Sequence, residues 1–159
     1  MLTPAAAVDH IANSGFSHLV WIPDSFVGSW ESALLASKSL KLIRPAREGE
    51  AIAIAGGLML GGANPVVVIQ CTGLFEAGDA LRNIVHDLKL PLKLIVGVRS
   101  YVANAAGKSS DSCPVFTEPI LRAWDMPYSL LAEPDDAGFA AAVDELASAD
   151  GARALLLGE

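Results

Sequence analysis

The stretch REGEAIAIAGGLMLGGANPVVVIQ, residues 47–70, contains a helix pattern followed by a strand pattern. No residue from Ala51 to Ile69 is charged, so a membrane span is one interpretation. Asn64 and Pro65 form a turn signal, and a proline cannot continue a helix. The remaining helix of about twelve residues is about 18 Å long, less than the roughly 30 Å hydrocarbon core of a bilayer. The stretch therefore predicts a buried helix that leads into the β-branched strand PVVVIQ.

Two acidic residues, Glu48 and Glu50, lie where this helix begins. Glu50 is about 200° around the helix from Glu48, so the two side chains are expected to face in different directions. An acid in the first turn is favoured by the helix dipole, and this alone can explain Glu48; the alternative is a carboxylate placed for chemistry. The alanines and glycines behind Glu48 allow close packing under either interpretation.

Apolar runs on both sides of this stretch extend the pattern to six strands separated by helices. The strands are predicted in SHLVWIP, LKLIRP, PVVVIQ, LKLIVGV, PYSLL and ARALLLG. Each run is continuously apolar rather than alternating, which is typical of strands buried on both faces. The sequence therefore predicts an α/β fold: one parallel six-stranded sheet with helices on both faces, in a single domain over residues 1–159.

Helices are predicted at residues 3–15, 25–38, 48–62, 75–89, 114–124 and 135–150. The helix at 114–124 is expected to break near Pro119, and residues 100–113 are expected to form a long loop. In open parallel sheets, ligands bind beyond the carboxyl ends of the strands. Four segments are therefore expected at the functional edge: residues 23–25, 45–48, 70–74 and 99–104.

The composition excludes some classes of partner. A net charge of -7 argues against nucleic-acid binding, because a phosphate backbone requires lysines and arginines. Hydrophobic residues make up 52% of the chain and charged residues 18%, which indicates that another chain buries part of the surface. Cys71 and Cys113 do not predict a disulfide framework, and the N-terminal residues do not resemble a signal peptide. A cytoplasmic protein is expected.

Several familiar motifs do not fit. The tetrapeptide GKSS, beginning at Gly107, lacks the earlier glycine of a phosphate-binding loop, because Val102 occupies that position. The run GGLMLGG lies inside a predicted helix and is not GxGxxG. His10, His18 and His86 have no metal-ligand spacing, so no metal ligand is expected in this chain.

Five stretches together resemble one enzyme group. REGEAIAIAGG fits the pattern E-x-x-A-x-x-x-A-x-G, with Glu48, Ala51, Ala55 and Gly57 at its four positions. This pattern is similar to the segment that carries the activating glutamate in pyrimidine-binding domains of thiamine diphosphate enzymes. VWIPDS, NPVVVIQCTGL, LPLKLIVGVR and MPYSLL resemble VPDS, RPVVLMQNSGL, IPLLLLISWR and IPYEVL of the sulfopyruvate and phosphonopyruvate decarboxylases. The similarity extends in the same order from about residue 15 to 131.

The resemblance implies half of a split enzyme. The GDG…Asn motif that holds Mg2+ and the diphosphate in this family is absent, since Gly78-Asp79 is followed by Ala80. The chain resembles a separate alpha subunit, whose beta subunit would carry the diphosphate-binding domain in an α2β2 assembly. The implied activity is thiamine diphosphate-dependent decarboxylation of a 2-oxo acid such as sulfopyruvate or phosphonopyruvate. A carboligase of the same coenzyme class and a non-catalytic regulatory or scaffold subunit are the alternatives.

The resemblance also implies roles for individual residues. Glu48 would activate the coenzyme, and Asp24 and Ser25 would handle protons or substrate, although Ser25 could instead cap the next helix. The segment matching the loop along the pyrimidine contributes Gln70, Thr72, Gly73 and Leu74, and Thr72 could also be a helix cap. Arg99 and Phe75 would contact the substrate, with Arg47 and Lys108 as further cations for an anionic substrate. The family's GLGN reads GLFE here, so Phe75 and Glu76 depart from the pattern.

Overall fold

A computed structural model describes all 159 residues and contains six strands. The strands are β1 (His18–Trp21), β2 (Lys41–Ile43), β3 (Pro65–Gln70), β4 (Lys93–Val98), β5 (Tyr128–Leu131) and β6 (Arg153–Gly158). They form a single sheet in the order β2-β1-β3-β4-β6-β5, and every neighbouring pair is parallel. The predicted six-stranded parallel sheet is confirmed.

The helices alternate with the strands along the chain. They are α1 (Pro4–Asn13), α2 (Glu31–Ala36), α3 (Glu48–Leu60), α4 (Cys71–Glu76), α5 (Gly78–Leu81), α6 (Tyr101–Ala105), α7 (Cys113–Ala123) and α8 (Asp136–Ser148). A 3-10 turn, Val27–Trp30, precedes α2, and a π-helical turn, Arg82–Asp87, follows α5. None of these helices has both the length and the apolar character that crossing a bilayer requires.

Helices cover both faces of the sheet. The side chains of Val67 and Ile69 pack in one core with α3, α4 and α7, whereas Val66 and Val68 pack in a second core with α1, α2 and α8. All four residues are fully buried. This two-sided burial explains why the strand PVVVIQ is apolar at every position.

Helix α3 packs closely against the π-helical turn. A Cβ on Gly56 would lie 3.3 Å from Cγ1 of Ile84 and closer still to Cδ1, so a larger residue would displace the Ile84 side chain. Helix α3 ends at Leu60 and β3 begins at Pro65, as the turn signal predicts. The small residues behind Glu48 thus serve close packing in this chain.

Three predictions about the local structure are wrong. Residues 71–74 form the first turn of α4, not a loop, because buried Cys71 and Leu74 are spaced as on one helix face. The predicted loop at residues 100–113 contains α6. Helix α7 continues through Pro119, which lacks the N–H that would bond the carbonyl of Val115, an exposed residue.

Candidate functional site

The order of the strands places a crevice between β1 and β3. The chain passes from β1 to β2 on one side and then returns to β3 on the other, with Trp21 of β1 in register with Val68 of β3. Ligand sites of open parallel sheets lie at such a reversal, outside the carboxyl ends of the strands. The segments that follow β1, β2 and β3 carry Asp24, Glu48 and Cys71.

Glu48 is the first residue of α3, and its side chain lies against Gly73 of α4. A Cβ on Gly73 would be 2.6 Å from both the carboxyl carbon and Oε1 of Glu48, so any larger residue would displace this carboxylate. The Glu48 residue is half-buried, whereas Glu50 is exposed, as their angular separation on the helix predicts. The structure therefore brings together two of the predicted site residues, Glu48 and Gly73.

Neighbouring carboxylates hold the start of α3. Glu50 accepts a hydrogen bond from the amide of Ala46 at 2.8 Å. Glu76 accepts one from the amide of Gly49 at 2.7 Å and another from Nε of Arg47 at 2.9 Å. The Arg47 guanidinium and the Gly49 N–H lower the pKa of the Glu76 carboxyl below its usual value. No hydrogen bond within the chain engages the carboxylate of Glu48, which leaves its oxygens to other partners.

The other predicted coenzyme contacts, Gln70, Thr72 and Leu74, flank Gly73 in the chain. Gln70 ends β3 and is half-buried, and its Oε1 accepts a hydrogen bond from the Thr72 hydroxyl at 3.1 Å. Thr72 is exposed in the first turn of α4. Leu74 is fully buried in the core, and Phe75 is half-buried against the same core. In this chain Leu74 and Phe75 therefore pack α4 on the sheet.

Asp24 caps the 3-10 turn after β1. Its Oδ1 accepts hydrogen bonds from the amides of Phe26 and Val27, both at 2.7 Å. The cap that the sequence allowed for Ser25 is thus supplied by Asp24. Neither residue forms a hydrogen bond with Glu48.

The second oxygen of Asp24 faces a carboxyl that the sequence does not single out. Asp24 Oδ2 and Glu159 Oε1 are both buried without hydrogen bonds, and they lie above Gly97 of β4. A Cβ on Gly97 would be 3.2 Å from Asp24 Oδ2 and 3.3 Å from Glu159 Cδ. Burial, together with the adjacent Asp24, raises the pKa of Glu159 to about 7. No local motif marks Glu159, because the three groups meet only through the pairing of β4 with its neighbours.

A cleft of about 680 Å³ opens beside this pair. Ser25, Phe26, Asp135 and Glu159 are among its lining residues. Phe26 packs against the core shared with α1 and α8, whereas α3 packs in the core on the opposite face of the sheet. Ser25 therefore borders this cleft, whereas Glu48 is not among its lining residues.

The arginines considered for anion binding already have carboxylate partners. Arg99 donates from Nε to Asp111 at 2.8 Å, and this bond lowers the pKa of the Asp111 carboxyl. Arg47 pairs with Glu76, while Lys108 is exposed. Cys113, 3.6 Å from Nη2 of Arg99, and Cys71 are both buried free thiols. The Arg99 side chain keeps 48% of its surface exposed, so part of the guanidinium is accessible.

Comparisons with known proteins agree with the motifs. The chain is 26% identical over 129 residues to sulfopyruvate decarboxylase subunit alpha of Methanococcus maripaludis, covering 80% of this chain and 75% of the relative. It is 24% identical over 136 residues to phosphonopyruvate decarboxylase of Streptomyces viridochromogenes, covering 86% of this chain but only 34% of the relative. No family model matches the chain.

A solved structure shares the fold. The Rhodococcus jostii RHA1 thiamine diphosphate-dependent 4-hydroxybenzoylformate decarboxylase superposes with a TM-score of 0.68 at 18% identity. The match covers 99% of this chain and 30% of that enzyme. The chain is thus similar to sulfopyruvate decarboxylase subunit alpha and phosphonopyruvate decarboxylase, and it shares the fold of part of a thiamine diphosphate-dependent decarboxylase.

Proposed function

We propose that this chain is the alpha subunit of a two-chain thiamine diphosphate-dependent 2-oxo acid decarboxylase. Residues 1–159 would form its pyrimidine-binding domain, and Glu48 would be the activating carboxylate. The observation that carries the proposal is the placement of Glu48 against Gly73 at the start of α3. The names of the two sequence relatives support a sulfopyruvate-like or phosphonopyruvate-like substrate.

The residues around Glu48 fit a pyrimidine ring. Gly73 has no side chain, Gln70 and Thr72 are polar, and the half-buried carboxylate of Glu48 is not engaged within the chain. Glu48 would hold a proton at a ring nitrogen, and Gln70, Thr72 and Gly73 would line the ring. A charge-assisted hydrogen bond of this kind is strongest where water is excluded. When bound, thiamine diphosphate supplies the electron sink that loss of carbon dioxide from a 2-oxo acid requires.

A beta subunit would complete the site. The sequence offers no GDG…Asn motif, so Mg2+ and the diphosphate would be held by the partner chain. Large hydrophobic side chains that are exposed in this chain, including Leu60, Leu88 and Phe116, support burial by a second chain. An α2β2 assembly is the simplest arrangement in which every site contains both halves.

The substrate would meet Arg99 and the loop after β1. Arg99 is half-exposed at the carboxyl end of β4 and retains donors beyond the one bonded to Asp111. Such a guanidinium suits the carboxylate or the sulfonate or phosphonate group of the substrate. Asp24 would act by fixing the shape of this loop, and Ser25 offers an exposed hydroxyl.

A non-catalytic subunit is the second candidate. The pairing of both Arg47 and Arg99 with carboxylates favours it, because a doubly anionic substrate would compete with those partners. Such a subunit would stabilise its partner equally well with Glu48→Ala and without added coenzyme.

The test combines assembly and turnover. The complex purified from its own source is weighed by native mass spectrometry, and carbon dioxide release from 3-sulfopyruvate and 3-phosphonopyruvate is measured. We expect a second chain with thiamine diphosphate and Mg2+ retained, and a loss of at least about 100-fold in turnover for Glu48→Gln. A homo-oligomer that ignores added coenzyme, or near-full activity of Glu48→Gln, would contradict the proposal.

A further inference from the structure

One carboxylate bonds the residues on both sides of Glu48, the side chain of Arg47 and the backbone of Gly49. Oε2 of Glu76 accepts a hydrogen bond from the amide of Gly49 at 2.7 Å, and Oε1 accepts from Nε of Arg47 at 2.9 Å. Arg47 precedes Glu48 in the chain, and Gly49 follows it. Glu76 belongs to α4, so this contact joins α4 to the first turn of α3.

The same face of α4 receives the side chain of Glu48. Gly73 and Glu76 are three residues apart on a helix and therefore lie on one face. Gly73 lies beneath the carboxylate of Glu48, and Glu76 bonds the amide of the next residue. The position of Glu48 is thus set by α4 at two points, one on the side chain and one on the backbone.

We propose that Glu76 is a positioning residue for Glu48. This inference rests on the proposed function, in which Glu48 must meet a ring nitrogen with its carboxylate. Displacing a reacting group by about 1 Å can reduce turnover about 100-fold. The first amides of a helix have no partner within the helix, so without Glu76 the turn that carries Glu48 would lose its hydrogen bond to α4 and keep only the contact with Gly73.

Glu76 differs from a local cap of α3 because it comes from another helix. Glu50, on the same first turn, already bonds the amide of Ala46 and reaches back along its own chain. Glu76 instead reaches across from a different helix, 27 residues away in sequence. Its bond to the Gly49 amide is charge-assisted, while the Arg47 side chain is 70% exposed and contributes little beyond orientation.

The test uses substitutions that separate the length of the side chain from its charge. Glu76→Ala removes both. Glu76→Gln keeps the length and an oxygen that can accept from Gly49, and Glu76→Asp keeps the charge but shortens the side chain. Each is made in the full chain and purified with its partner. Turnover of 3-sulfopyruvate and 3-phosphonopyruvate is measured, together with hydrogen exchange of the Gly49 amide.

We expect Glu76→Ala and Glu76→Asp to lower kcat about 10- to 100-fold with little change in KM, and to speed exchange at Gly49. Glu76→Gln should restore kcat to within about fivefold, because its amide oxygen still accepts the Gly49 N–H. The matched control is Glu50→Gln, which should change kcat by less than about threefold.

The outcomes distinguish the two proposals. If Glu48→Gln is inactive while Glu76→Ala keeps both its kcat and slow exchange at Gly49, the positioning role is overturned and the proposed function stands. If Glu48→Gln is fully active, the proposed function fails and the positioning role fails with it. If the Glu76→Ala chain does not assemble, the Glu76→Gln and Glu76→Asp variants decide. Equal kcat values for these two variants would overturn the proposal that the length of the Glu76 side chain positions Glu48.

Discussion

Gly73 determines how closely Glu48 can approach α4. The family resemblance predicts a glycine beside the coenzyme at this position, and the structure adds that the Glu48 carboxyl occupies the space of its missing side chain. The contact joins residues 25 positions apart, and no pattern within either helix reveals it. The sequence allows a cap at Ser25, but the structure places it at Asp24, because the sequence alone does not show which of two adjacent caps is used.

Gly73→Ala tests this contact directly. Replacing a helical glycine by alanine normally stabilises a helix by about 0.5–1 kcal/mol. Here we expect the opposite, a loss of about 1–3 kcal/mol from the free energy of unfolding, because the new methyl group overlaps the Glu48 carboxyl. Denaturant unfolding of the full chain measures the change.

Gly57→Ala on α3 is the matched control. No atom lies within 4 Å of a Cβ placed on Gly57, so this substitution should be neutral or stabilising. If Gly73→Ala behaved like Gly57→Ala, the close contact of Gly73 with Glu48 would be refuted.

At the scale of elements, the sequence predicted all six strands and the helices with strong caps. Thr3 accepts a hydrogen bond from the Ala6 amide and begins α1, and Asp135 accepts one from the Gly138 amide and begins α8. Helix α4 begins four residues before the predicted helix at 75–89, because Thr72 and Gly73 resemble a loop although buried Cys71 and Leu74 have helical spacing. Helix α6 is short and half-exposed, so it carries no apolar period that the sequence could show.

The N-terminal cap of α8 is expected to contribute to the stability of the chain. Asp135→Ala removes the acceptor of the Gly138 amide, which is bonded at 2.7 Å, and should cost about 1 kcal/mol of unfolding free energy. Urea unfolding of the full chain measures this loss. Asp9→Ala, on the exposed surface of α1, should change stability by less than about 0.5 kcal/mol. Equal effects of the two substitutions would show that the cap contributes nothing beyond removal of a charge.

At the scale of the whole molecule, the sheet gathers groups that are far apart in the chain. Continuous apolar strands predicted the parallel sheet, but they do not fix the order in which the strands pair. That order brings Asp24, Gly97 and Glu159 together from the ends of β1, β4 and β6. The pairing order therefore produces a buried carboxyl pair that no stretch of the sequence encodes by itself.

This carboxyl pair makes stability depend on pH. Folding raises the pKa of Glu159 from its usual 4.5 to about 7, so between these values the folded state binds the proton more tightly than the unfolded state. Stability should therefore fall as pH rises from about 4.5 to 7 and stay at the lower level above that. Thermal unfolding of the full chain should show Glu159→Gln to be more stable than the natural chain at pH 8. A Glu159→Gln chain no more stable than the natural one at pH 8 would contradict the raised pKa.

The two outermost strands limit how another chain can attach. Strand β2 has three residues and begins with the exposed Lys41, and β5 has four residues that are all half-buried. Both edge strands are short, so they offer few free backbone groups to an incoming strand, and Lys41 adds a charge at the β2 edge. Short edge strands and edge lysines commonly protect a sheet against edge-to-edge aggregation. A second polypeptide is therefore not expected to extend the sheet by β-augmentation. Recognition would instead use side chains on helices and loops, so the sheet would keep its six strands when the partner binds.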